Sequence, residues 1–105
     1  MSRQLRQGDV LLVRVHEMRA NASVVEQNQL PGRVVVASGE RTGHHHSLAA
    51  SDADLYRTPV HRYLRVVRPT YLEHEEHGAV PIDPGVYEIF MQHTYTPEKI
   101  VPVVD

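Results

Sequence analysis

Five of the chain's eight histidines fall in two short stretches, Gly43-His44-His45-His46 and His74-Glu75-Glu76-His77. Imidazole is the commonest metal ligand, and with carboxylates beside it a histidine cluster suits zinc, nickel, copper(II) or non-haem iron. Residue type does not choose among these; zinc is the first expectation. Along a strand successive side chains alternate faces, so His44 and His46 project together and His45 points away. His74 and His77 must fold against that same face if four imidazoles are to hold one divalent ion. Glu75 or Glu76 would then supply an oxygen ligand or fix a histidine tautomer. With a coordination position open, either becomes the candidate general base for a metal-bound water, and hydrolysis is the first reaction to consider. The competing readings are a solvated loop and a solvated hairpin tip that bind nothing, and a histidine-lined site for an anion or small molecule. His93 is a further candidate ligand, read more simply as a core histidine with a hydrogen-bond partner.

A second constellation is basic and aromatic. Arg57, Arg62, Arg65 and Arg68 are interleaved with Tyr56, His61 and Tyr63, which suits a non-catalytic module binding a protein partner or nucleic acid, since arginine with ring stacking is how sheet surfaces hold single strands. Two features oppose that reading. Arg62 and Arg65 face opposite ways on one strand, and residues 73–105 carry seven acids against Lys99 alone, which repels phosphate.

The elements that must position these groups are strands. Asp9 to His16 alternates with Leu11, Val13 and Val15 on one face and Val10, Leu12, Arg14 and His16 on the other. Arg33 to Ser38 is apolar enough to be buried on both faces. Gly39 and Gly43 then bracket a tight turn into a segment of strand character from His44 to Ala50. Short strands follow at Leu55 to Arg57, His61 to Val67 and Thr70 to His74. Glu75 to Val80 reads as a polar loop, and Pro81 to Gly85 as a turn. Val86 to Tyr95 is the longest strand candidate, with Tyr87, Ile89, Met91, His93 and Tyr95 on one face, and Ile100 to Val104 suits an edge strand. Glu17 to Leu30 reads as a loop. No amphipathic helix of three turns is present, so about seven short strands predict an all-β fold, a single small β-barrel or β-sandwich spanning residues 1–105.

Composition bounds the chemistry. The 105 residues, 41% of them hydrophobic, suffice for one modest core. With no cysteine, disulfides, thiolate metal sites and iron–sulfur clusters are excluded. No apolar run approaches the roughly 20 residues of a membrane-spanning helix, and a cytoplasmic protein with no membrane partner is expected. Exposed strand edges make a homo-oligomer, and a structural role for it, a third expectation.

Gln7-Gly8-Asp9-Val10-Leu11, Gly39-Glu40 with Thr42-Gly43-His44 and His46, His74-Glu75-Glu76-His77, Pro81-Ile82, Pro84-Gly85-Val86-Tyr87, and Gln92 with Tyr95-Thr96-Pro97 together resemble a family of small uncharacterised bacterial and phage proteins. Its recurrent pattern is roughly GDVL, GE-x-TGH-x-H, HEEH, PI-x-L-PPG-x-Y and Q-x-EYTP. The resemblance implies no established activity. It singles out His44 and His46 over His45, whose place in the pattern is usually a small residue. The chain departs from the pattern at His93 and Thr94. Weaker likenesses exist to the cupins, through the His44/His46 pair and Pro84-Gly85-Val86-Tyr87, and to the co-chaperonin barrel, through Val10 to Val15 and Leu30 to Gly39. The cupin glutamate is missing, since Leu48, Ala49, Ala50 and Ser51 stand in its place, and the later histidines have no counterpart in the co-chaperonins.

Overall fold

A computed structural model of the chain describes residues 4–26, 29–39 and 43–92. Its described residues are all-β, with ten strands: β1 (Gln4–Gln7), β2 (Val10–Val15), β3 (Ser23–Val24), β4 (Arg33–Ser38), β5 (His45–Ala49), β6 (Ala53–Arg57), β7 (Arg62–Val66), β8 (Thr70–Leu72), β9 (Val80–Ile82) and β10 (Gly85–Met91). Six of them form one antiparallel sheet in the order β1-β2-β10-β7-β6-β3, while β4–β5 and β8–β9 are hairpins. Ser47 and Glu73 exchange both backbone hydrogen bonds, at 3.0 and 2.8 Å, and so join β5 to the end of β8. The described strands do not close into a barrel. No helix among these residues is long and apolar enough to cross a membrane.

One apolar cluster holds the layers together. Val10, Leu12, Leu55, Leu64, Val66, Tyr87 and Ile89 come from the main sheet, and Val34, Val36, Leu48, Leu72 and Ile82 from the two hairpins. Period-two alternation explains most of this: Val10 and Leu12 are fully buried, while Leu11 and Val13 between and beyond them are not. The Tyr87 ring is buried, and its hydroxyl donates to the Asp83 carbonyl at 2.7 Å.

Ten strands replace about seven because β1, β3 and β9 carry little sequence signal. β1 is the polar run Gln4-Leu5-Arg6-Gln7, β3 has two residues, and β9 contains Pro81. Pro81 is tolerated because, among the described residues, β9 pairs with β8 alone and is an edge strand. His93, the far end of the long C-terminal strand and the edge strand expected at 100–104 lie outside the described residues.

Candidate functional site

The site starts at a hairpin turn. Gln7 pairs with Val10 across Gly8-Asp9, and Gly8 has φ of +59° while Asp9 stays in the ordinary negative range. Glycine at the first central position is what a type II′ two-residue turn requires. A Cβ on Gly8 would lie 2.6 Å from His77 Nε2 and 3.3 Å from His46 Cε1. Its absence lets two imidazoles approach the turn.

Gln7 is 3% exposed, and its Nε2 donates to the carbonyls of Leu72 and Gly78, each at 2.9 Å. Both amide hydrogens are thereby used, and Oε1 faces His46 Nδ1 at 2.9 Å. An amide oxygen only accepts, so the His46 proton sits on Nδ1 and the Nε2 lone pair is bare. His46 is 1% exposed, and its Nε2 has no hydrogen-bond partner among the described residues. Opposite it, 3.9 Å away, is Asp9 Oδ1, equally buried and unpartnered. Burial first, then the neighbouring His74, pulls the His46 pKa down from 6.5 to about 4, so the ring is neutral at pH 7.

The other histidines gather around this pair. His74 lies 4.4 Å from His46 and 4.5 Å from His77, ring centre to ring centre, and His44 meets His74 edge-on at 5.3 Å. Three segments bring them together: the start of β5, the turn after β8, and the β1–β2 turn. His74 Nδ1 accepts the backbone N–H groups of Glu76 and His77 at 3.0 and 3.1 Å. Its own proton is therefore on Nε2, and the ring caps the turn as an asparagine would. Burial lowers the His74 pKa too. Among the described residues, no group of three or more histidine, aspartate or glutamate side chains is already arranged to hold a metal ion.

Neither glutamate is bonded to His46; each faces another histidine of the first stretch. Glu75 accepts the His45 backbone N–H at 2.7 Å, and this bond holds its pKa down to about 2. A carboxylate so tied is a poor general base near neutral pH. Glu76 lies 3.5 Å from His44 Nδ1 and is largely exposed. His45 thus anchors the turn after β8 to β5 through Glu75.

The arginine constellation is dispersed. Tyr63 is 3% exposed, its hydroxyl accepting the Arg19 N–H, so its ring offers no face for base stacking. Arg65 pairs with Asp54 and Arg68 with Asp52, both at 3.6 Å. Arg62 donates to the Val36 carbonyl, and Arg57 is exposed at the end of β6.

Gln7, Gly8 and Asp9 are the site residues that histidine spacing does not reveal. Gly-Asp is a two-residue hairpin signal where strand runs flank it on both sides, and the polar run Gln4 to Gln7 hides the first of them. Nothing in one sequence tells that this turn meets His46.

Fold and site together define a small all-β protein with a histidine-rich polar cluster where the main sheet meets its two hairpins. Residues 6–92 match the family described as Domain of unknown function (DUF8820), and the chain belongs to it. No curated protein and no solved structure is detectably similar to the chain.

Proposed function

We propose that the protein binds a divalent transition metal, zinc first, between His46 Nε2 and Asp9 Oδ1, with the His77 imidazole recruited as a third donor. The observation that carries this reading is the facing pair of buried lone-pair atoms. Two acceptors with no donor between them are costly in a protein interior, and a cation or its bound water removes the cost. Two ligands on a tetrahedral zinc stand roughly 3.4 Å apart, so the 3.9 Å separation closes with a small side-chain shift. Gln7 does for His46 what an outer hydrogen-bond acceptor does in metal sites, holding the proton on the nitrogen turned away from the ion. His77 is exposed and already lies against Gly8. His44 stands behind His74 as a candidate fourth ligand. His74 enters only if its turn reopens.

The test is metal analysis of untagged protein with a zinc titration followed by thermal unfolding. Near-stoichiometric metal, or a saturable rise in melting temperature, is expected. Asp9→Asn, which keeps the side-chain shape, should weaken zinc by at least about a hundredfold, since even outer-sphere substitutions cost 10–100-fold. Metal-free protein whose unfolding ignores zinc, nickel, copper and iron would sink the reading.

A further inference from the structure

The hairpin of β6 and β7 carries two charged rungs of opposite character. Asp54 stands across from Arg65, which is the usual stabilising arrangement, whereas Arg57 stands across from Arg62. Like charges directly opposite destabilise a strand pair. Alternation puts Arg57 and Arg62 on the same side as Leu55 and Leu64, the side facing the core, at the end of the strands.

No carboxylate among the described residues pairs with either guanidinium. Three acids of β6, β10 and the turn before β6 are committed elsewhere: Asp54 to Arg65, Asp52 to Arg68, and Glu88 to His61 at 2.6 Å. Arg62 reaches across to β4 and donates to the Val36 carbonyl. Its environment is half-buried, and burial alone lowers its pKa. Both arginines line one cavity of about 380 Å³, whose remaining walls include Val25, Leu55, Pro59 and Val60.

We propose that this cavity is a binding site for a small organic oxyanion, a carboxylate or a phosphate monoester with an apolar body, held by Arg57 and Arg62. The two guanidinium groups supply the fork geometry that fits either oxyanion. Valine, leucine and proline side chains cover the apolar part of the ligand. The site is independent of the histidine cluster and stands whether or not a metal binds there.

Hexanoate, hexyl phosphate and acetate titrated into the protein at constant ionic strength, followed by amide NMR shifts, would test this. Saturable shifts at Val25, Leu55 and Arg62 are expected, with hexanoate or hexyl phosphate binding at least about tenfold tighter than acetate because several methylenes leave water. Whichever of the two six-carbon ligands binds better identifies the head group. Arg57→Gln, an exposed change, should weaken binding by about tenfold. Arg57→Glu places a carboxylate opposite Arg62, and should raise the melting temperature of the ligand-free protein while abolishing binding. Shifts that never saturate, or that persist unchanged in both Arg57 variants, would overturn the proposal.

Discussion

His46 is buried as a neutral ring with its proton placed by Gln7, and this makes the metal-free protein sensitive to acid. In the unfolded chain the ring titrates at its ordinary 6.5, in the folded chain at about 4. Between those values the unfolded chain binds more protons, so stability falls as pH drops through that window and is unaffected by this group above it. The loss amounts to about 3 kcal/mol at full effect, and the lowered His74 pKa acts with the same sign. Urea midpoints of chelator-treated protein at about pH 7.5 and about pH 4.5 measure it, and His46→Gln should flatten the difference. His74 offers a second residue-scale prediction. Asn can cap the turn as His74 does, so His74→Asn should keep zinc affinity within about threefold, whereas His74→Ala should lower it by loosening His77. A large loss in the Asn variant, read by zinc titration, would make His74 a ligand after all. Histidine spacing made His44, His46, His74 and His77 legible as a group; their proton positions were not, because these depend on backbone partners that no sequence displays.

At the scale of elements, the turn after β8 is held to β5 by three ties. Ser47 and Glu73 pair through the backbone, Glu75 accepts the His45 N–H, and Arg33 bonds both the Ser47 hydroxyl, at 3.1–3.2 Å, and the Glu73 carboxylate, at 2.6 Å. Arg33 thereby spans β4, β5 and the end of β8. Arg33→Met should cost about 1 kcal/mol, the discount reflecting the exposed Glu73 partner, and should weaken zinc binding by displacing the turn that carries His77. Denaturant unfolding and zinc titration of the one variant check both. β5, β7 and β10 were legible because β-branched or alternating residues lie between clear stops. β1 was not, since its residues are mostly polar and only Gln7 is buried, its amide held by the carbonyls of Leu72 and Gly78.

For the whole molecule, the all-β class follows from strand spacing and the lack of any helical period, but the pairing order does not. β2 and β7 each lie beside β10, which comes from far along the chain, and nothing local in Val10 to Val15 names Val86 to Met91 as its partner. A bound metal would clamp the β1–β2 turn to β5 and to the turn after β8. Zinc at about a hundred times its dissociation constant should add about 2.7 kcal/mol of stability. The gain should appear as slowed amide exchange at Gly8, Asp9 and residues 74–78; protection confined to the main sheet would contradict the clamp.

The central place of β10 in the sheet also dictates an order of assembly. On a ribosome β2 and β7 are finished long before their shared neighbour, and until Gly85 to Met91 emerges each presents an unpaired edge. Gln7, Asp9, His46 and His77 are all made by then. A nascent chain therefore owns the groups proposed to hold a metal before it owns the strand that unites its sheet.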